Sequence, residues 1–263
     1  MSRRHILFDC EGARLAGTLD AAGGKTGLLI VTGGNEVRSG AFAGQAELAA
    51  QVARAGFPVF RFDRRGVGDS EGENNGFRES RADITAAIAA FREHAPTLER
   101  VIGFGNCDAA SALMLCQGAG CDALILSNPW TFDEAEGDAN DHATPDTASA
   151  RAHYARRLRD PAAMKRLLTG SVSPGKLLRG IAAALRPSPP PSSLVEEMQA
   201  GLRGYGGDVR YLVAGNDRTG NAFMATRARN DPQVRLCPDA SHAYVEQASR
   251  EWLLAQVLEV LRG

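Results

Sequence analysis

Residues 103–110 have the sequence GFGNCDAA and lie between a predicted strand at 100–103 and a predicted helix at 108–117. Small residues stand two positions on either side of the cysteine, with Gly105 before it and Ala109 after it. When a strand turns directly into a helix, the two backbones nearly touch, so only small side chains fit at such positions. The stretch therefore predicts a sharp strand-to-helix turn with the cysteine at its apex.

A turn of this kind presents a nucleophile in the pattern G-x-S-x-G. In this sequence Cys107 stands in place of the serine, and alanine replaces the last glycine. The backbone N–H of Asp108, at the start of the helix, would point at the oxygen of an attacked carbonyl group. The alternative is that Cys107 is simply a buried cysteine, a frequent state of this residue. The motif alone leaves both interpretations open, so the partners of the cysteine decide between them.

Patterns of strand and helix alternate along most of the chain. Residues 5–20 alternate apolar and polar side chains around Glu11-Gly12, which predicts an N-terminal β-hairpin. The alternation that follows indicates an α/β protein with a mostly parallel sheet and helices on both faces. Further strands are predicted at 26–31, 57–62, 123–127, 209–214 and 234–237, and further helices at 81–94, at 221–229 and from about residue 250.

The segment 130–207 interrupts this regular pattern. It contains polar residues, short helical patterns and four prolines within 187–191. Such a segment inside an α/β chain predicts an inserted helical lid, with 1–129 and 208–263 together forming one core domain. An ordered linker between two domains is the alternative, but too little chain follows it to form a second domain.

The composition excludes several classes of function. The 263 residues are 44% hydrophobic and 23% charged, with a formal net charge of -1, so no global field attracts nucleic acid or an anionic membrane. We find no stretch with the length and apolarity of a secretory signal or a membrane span. We therefore expect a cytoplasmic protein. The five cysteines contain no CxxC pair, which indicates neither a disulfide framework nor a zinc site, and no cofactor is implied.

A catalytic thiol needs a base, and the base needs an acid that orients it. With this type of turn the chain order is nucleophile, acid, histidine, and the last two lie on loops after late strands. Asp217 follows the predicted strand at 209–214, and His242 follows the last predicted strand. A loop histidine in solvent, an ordinary Asn-Asp turn and the nearby Asp239 are the alternatives. We predict that Cys107, His242 and Asp217 form a triad.

A second donor to an oxyanion is expected from the loop after the first parallel strand. This loop contains Gly33-Gly34-Asn35, and glycine lets the backbone approach a substrate closely. The backbone N–H of Gly34 or of Asn35 is the candidate donor, in addition to that of Asp108. A plain turn would use the same residues.

Over nearly its whole length the chain resembles the α/β-hydrolase superfamily, and residues 63–70, DRRGVGDS, are similar to a loop found after an early strand in those enzymes. More narrowly, residues 33–34, residues 61–63 with 68–72, and residues 107–112 resemble the hydrolase 1 family associated with exosortase A systems. That resemblance implies a cysteine nucleophile and a genomic setting of exopolysaccharide and protein-sorting loci. Unlike the wider superfamily, this chain has no histidine before the oxyanion glycines.

The predicted triad implies a hydrolase that forms an acyl-cysteine from an ester or thioester. An acyl-cysteine reacts with water, amines and thiols, so hydrolysis and acyl transfer both remain open. Residues 151–186 contain nine lysines and arginines against a single acid, and Arg156, Arg157 and Arg159 lie close together there. This basic segment is either a solvated helix face or a docking site for an anionic partner such as an acyl-carrier protein.

Two other interpretations compete with the hydrolase. The pattern Gly103-x-Gly105-x-x-x-Ala109 also approximates the phosphate loop of a dinucleotide-binding protein. That fold places the loop in its first strand-helix unit and an acid at the end of the next strand, whereas here the next strand ends at Ser127-Asn128. The second alternative is a non-catalytic partner of a sorting or polysaccharide complex that keeps the hydrolase fold without turnover.

Overall fold

The computed structural model describes residues 2–132, 193–228 and 230–263. The strands are β1 (Ser2–Cys10), β2 (Ala13–Ala21), β3 (Thr26–Val31), β4 (Val59–Phe62), β5 (Arg100–Asn106), β6 (Ala123–Ser127), β7 (Asp208–Ala214) and β8 (Val234–Cys237). The helices of more than one turn are α1 (Gly44–Arg54), α2 (Arg81–His94), α3 (Asp108–Leu115), α4 (Ser193–Arg203), α5 (Arg218–Ala225) and α6 (Gln247–Arg262).

The strands form an eight-stranded sheet in the order β1-β2-β4-β3-β5-β6-β7-β8. The predicted hairpin is confirmed, because β1 and β2 pair antiparallel around Glu11 and Gly12, both of which have positive φ. Strand β2 also pairs antiparallel with β4. The six strands from β3 to β8 run parallel to one another. The mostly parallel α/β sheet predicted from the sequence is therefore present.

Helices cover both faces of the sheet, as a parallel sheet requires. Successive residues of β3 point to opposite faces, so that Leu29 and Val31 join one core cluster and Leu28 and Ile30 the other. Side chains of α2, α3, α4 and α5 pack in the first cluster, and those of α1 and α6 pack in the second. This two-sided burial explains why the central strands are nearly continuous apolar runs.

Two of the element boundaries that differ from those predicted have a clear local cause. The fourth strand begins at Val59 and not at residue 57, since Pro58 lacks the N–H that a ladder position needs. Helix α5 begins at Arg218 and ends at Ala225, whereas the sequence predicted 221–229. It starts earlier because the side chain of Asp217 accepts a hydrogen bond from the Gly220 N–H and caps the helix.

The described ends of the predicted lid lie against the core domain. Within 130–207, the described residues are 130–132 and 193–207. Helix α4 buries Leu194, Val195 and Met198 in the same core cluster as α2 and α3. The rest of the predicted lid, including Arg156, Arg157 and Arg159, lies outside the described residues. No described helix has both the length and the apolar character needed to cross a membrane.

Phe60 provides a test of this packing. Its ring is fully buried and lies 5.7 Å from the ring centroids of both Phe8 and Phe91, with the Phe91 ring stacked on it. We expect Phe60→Ala to lower the free energy of unfolding by about 3–5 kcal/mol, because it leaves a cavity in the core. Urea denaturation measures this change.

The matched control is Phe42→Ala, which removes the same atoms from a side chain that is 84% exposed. It should change the free energy of unfolding by less than about 0.5 kcal/mol. Equal losses for the two variants would contradict the assigned packing.

Candidate active site

Cys107 lies at the apex of the turn between β5 and α3. Its φ is 61° and its ψ is -130°, a conformation that non-glycine residues rarely adopt. The strain is held in place because the Cys107 N–H donates to Ser127 O at 3.0 Å and its carbonyl accepts from the Ala110 N–H at 3.1 Å. Strand β5 runs through Asn106, beyond its predicted end at residue 103, so the turn immediately follows it.

The small residues on either side of Cys107 are required by close backbone contact. A Cβ atom on Gly105 would lie 2.7 Å from the carbonyl carbon of Ala109 and 2.7 Å from the backbone nitrogen of Ala110. Ala109 is itself fully buried. The steric reason predicted from the sequence for small residues at these two positions therefore applies in the structure.

The structure brings His242 and Asp217 together at the same edge of the sheet. Asp217 follows β7 and His242 follows β8, and His242 Nδ1 lies 2.9 Å from Asp217 Oδ2. The Asp217 side chain is 8% exposed, which limits competition from water. The alternative acid, Asp239, is exposed, and its carbonyl oxygen accepts a hydrogen bond from the Asn216 side chain. Of the two carboxylates, it is that of Asp217 that pairs with the imidazole.

The imidazole of His242 also interacts with the Cys107 side chain, which lines the same cavity. Since Nδ1 lies beside Asp217, Nε2 is the ring nitrogen left to interact with the sulfur. Burial by itself lowers the pKa of His242, but the hydrogen bonds with Asp217 and Cys107 and the negative charge of both raise it to about 10. The imidazole therefore favours its protonated form near neutral pH, beside the Asp217 carboxylate. The side chains of Cys107, His242 and Asp217 thus lie near one another at this edge of the sheet.

Residues 28–255 match the model of a family described as the alpha/beta hydrolase family. The chain belongs to this family. A search of curated proteins gave no match.

Solved structures of other α/β hydrolases share the fold at low sequence identity. An esterase from Pyrococcus furiosus is 14% identical with a TM-score of 0.63, over 99% of this chain and 90% of that one. The α/β hydrolase GrgF from Penicillium sp. sh18 is 15% identical with a TM-score of 0.62, over 100% and 98% of the two chains. The thioesterase domain from the curacin biosynthetic pathway is 14% identical with a TM-score of 0.57, over 98% of this chain and 100% of that one. The chain therefore has the α/β-hydrolase fold, and the alternative of a dinucleotide-binding fold is wrong.

The backbone at His242 of this hydrolase is held by two asparagines that the sequence analysis missed. Asn106 Nδ2 and Asn128 Nδ2 lie 3.3 Å and 3.4 Å from the carbonyl oxygen of His242. Asn128 is fully buried, donates to Asn106 Oδ1 at 3.0 Å and accepts from the Ala214 N–H at 2.8 Å. Its position at the carboxyl end of β6 was the available signal, because the ends of neighbouring parallel strands meet at one edge.

The predicted oxyanion donors occupy different positions in the hydrolase. Gly34 lines a cavity of about 400 Å³ together with Cys107, Asp108 and His242. Asn35 is exposed and does not line this cavity. Its Oδ1 accepts a hydrogen bond from the Asn74 side chain. The Gly34 N–H is already engaged, since it donates to both carboxylate oxygens of Asp108, at 2.7 Å and 2.8 Å.

The remaining walls of the cavity combine aromatic rings with one more carboxylate. Phe77 and Trp130 supply apolar surface, and Glu36 supplies the carboxylate. The pKa of Glu36 is raised from its ordinary value, first by partial removal from water and then by the charge of Asp108, against the lowering effect of His242. Among the residues that the structure describes, no cluster of three or more histidine, cysteine or acidic side chains is arranged to hold a metal ion.

We expect His242 to stabilise the fold in a pH-dependent way. Its pKa rises from the ordinary value of 6.5 to about 10 on folding, so its stabilising effect is complete below pH 6.5 and is lost as the pH rises through 10. Urea denaturation of the unmodified protein and of His242→Gln measures this effect. The difference in the free energy of unfolding between them should shrink steadily across that window. A difference that stays constant or grows with pH would contradict the assigned ion pair.

Proposed function

We propose that the chain is a hydrolase or acyltransferase that acts on esters or thioesters through an acyl-cysteine on Cys107. The observation that carries this proposal is the position of His242, whose imidazole lies 2.9 Å from the Asp217 carboxylate and lines the same cavity as Cys107. A strained turn presents the sulfur to a cavity, and the imidazole beside it is oriented by a buried carboxylate. These are the parts that nucleophilic catalysis by a thiol requires.

In the proposed reaction, His242 holds the proton released by Cys107, and the thiolate adds to the carbonyl carbon of the donor. The electron pair of the carbonyl double bond moves to oxygen, and the backbone N–H of Asp108 stabilises the resulting oxyanion. When the tetrahedral intermediate collapses, the bond to the leaving group breaks, and His242 gives its proton to that group. Asp217 keeps the imidazole oriented throughout and balances its positive charge.

The second half of the reaction regenerates the thiol. His242, now neutral, takes a proton from water or from an amine or thiol acceptor, which attacks the acyl-cysteine. The sulfur-carbon bond then breaks, and the acyl group leaves as an acid, amide or thioester. Water gives an esterase or thioesterase, and another acceptor gives an acyltransferase. The names of two structural relatives, an esterase and a thioesterase domain, are consistent with this choice of donors.

The proposal has a narrower biological setting. Residues 33–34, 61–63 with 68–72, and 107–112 resemble the hydrolase 1 family associated with exosortase A systems. On that resemblance we propose a genomic setting of exopolysaccharide and protein-sorting loci. The cytoplasmic location remains a prediction, as does an acyl-carrier partner that docks at Arg156, Arg157 and Arg159.

Acyl-enzyme trapping tests the proposed nucleophile. We expect intact-mass spectrometry, after exposure to a panel of acyl thioesters and aryl esters, to show a single acyl adduct that peptide mapping places on Cys107. In the proposed mechanism His242→Ala removes the proton carrier, so the adduct should form at least about 100-fold more slowly.

Cys107→Ala is the matched control, because it removes only the sulfur and leaves the elbow geometry possible. An adduct of equal yield in this variant would contradict the proposal. If no donor in the panel modifies the unmodified protein, while the fold is intact by circular dichroism, the non-catalytic alternative is favoured.

A further inference from the structure

The carboxylate of Asp108 occupies the loop half of the expected oxyanion hole. Both of its oxygens accept the Gly34 N–H, at 2.7 Å and 2.8 Å. A Cβ atom on Gly33 would lie 2.4 Å from Asp108 Oδ1, so only glycine leaves room for the carboxylate. The backbone of Gly33 and Gly34 therefore binds the Asp108 carboxylate.

Arg64 holds this arrangement from behind. Its Nη2 donates to the Gly34 carbonyl oxygen at 2.6 Å and lies 3.4 Å from Asp108 Oδ2, while Nη1 donates to Ser80 Oγ at 3.0 Å. The Arg64 side chain is buried, and that of Asp108 is only 14% exposed. A hydrogen bond from an amide to a carboxylate is stronger than one to a neutral carbonyl, so the seated carboxylate competes well for the Gly34 N–H.

A substrate carbonyl must overcome this competition. In the proposed reaction the Gly34 N–H would be the loop donor to the oxyanion, because Gly34 lines the same cavity as Cys107. While the Asp108 carboxylate accepts the Gly34 N–H, that N–H cannot donate to a substrate. The negative charge of the carboxylate also repels a developing oxyanion. Acylation then requires that the carboxylate move off Gly34. Binding energy from parts of the substrate remote from the carbonyl can drive such a movement.

We propose that Asp108 is a specificity-determining residue that closes the oxyanion hole to small, weakly held esters. The favoured donors carry an extended apolar acyl group that packs against Phe77 and Trp130, the aromatic walls of the cavity of about 400 Å³. This inference rests on the proposed function, because it assumes acylation of Cys107. It goes further in assigning a role to the Asp108 side chain and in naming the class of acyl group.

The test compares two esters and two reactions of the same sulfur. Acylation by p-nitrophenyl acetate or p-nitrophenyl octanoate is followed by the first turnover of nitrophenolate release. Alkylation of Cys107 by iodoacetamide is followed by mass spectrometry, and it forms no oxyanion, since iodide leaves directly as the sulfur-carbon bond forms. A change in acylation without a change in alkylation therefore isolates the oxyanion hole from the state of the thiol.

We expect Asp108→Ala to accelerate acylation by the acetate ester by about tenfold, because one charge-assisted hydrogen bond stabilises by roughly that factor. The rate of alkylation should change by less than about twofold. Acylation by the octanoate ester should accelerate by a smaller factor, so the preference for octanoate over acetate should shrink. Asp108→Asn keeps an acceptor without the charge, and its gain should be smaller. Glu36→Gln removes a carboxylate from the same cavity without touching Gly34, so its gain should be smaller than that of Asp108→Ala.

Each other outcome has a defined meaning. Unchanged or slower acylation of Asp108→Ala, with alkylation preserved, would overturn the inference, because the carboxylate would then be neutral or would hold Gly34 in place. An equal gain for both esters, or for Glu36→Gln, would overturn it as well. If alkylation also falls in Asp108→Ala, Asp108→Asn decides by the same criteria. If every variant is alkylated but none is acylated, the proposed function fails, and the inference fails with it.

Discussion

The position of the His242 imidazole, paired with the Asp217 carboxylate and lining the same cavity as Cys107, is the constraint on which the proposed site depends. Three parallel strands, β5, β7 and β8, end at the same edge of the sheet, and the residues that follow them meet there although they are distant in the chain. Asp217 contributes twice, because it orients the imidazole and also caps α5 through Gly220. The fold thus connects the stability of a helix start to the geometry of the proposed proton carrier.

Much of the architecture could be predicted because it follows from short-range sterics and periodicity. The elbow around Cys107 depends on contacts between residues a few positions apart, and the alternation of strands and helices depends on local apolar patterns. His242 and Asp217 could be placed because chain order restricts them to loops after late strands. The position of Asn128 at the end of β6 was a signal that it lies at this edge. The contacts of Asn106 and Asn128 with the His242 carbonyl oxygen were not predictable, since that atom is more than a hundred residues away in sequence.

The glycine pair shows where sequence reasoning stops. Gly33 and Gly34 were expected to let the backbone approach a substrate closely, but the sequence does not tell which group of the protein itself lies against them. In the structure it is the carboxylate of Asp108, backed by Arg64, which makes the side chain after the nucleophile as important as its backbone N–H. The predicted donor and the residue that blocks it are therefore parts of one arrangement, and only the tertiary contacts reveal it.

His242 is proposed to activate the Cys107 thiol by taking its proton. The rate at which iodoacetamide alkylates Cys107 is the most direct test of this role. The other four cysteines are buried, whereas Cys107 is partly exposed. With a limiting amount of iodoacetamide near neutral pH, peptide mapping should find Cys107 modified first, and at least about 100-fold faster than in His242→Ala. Alkylation of Cys107 at the same rate in both proteins would contradict the account.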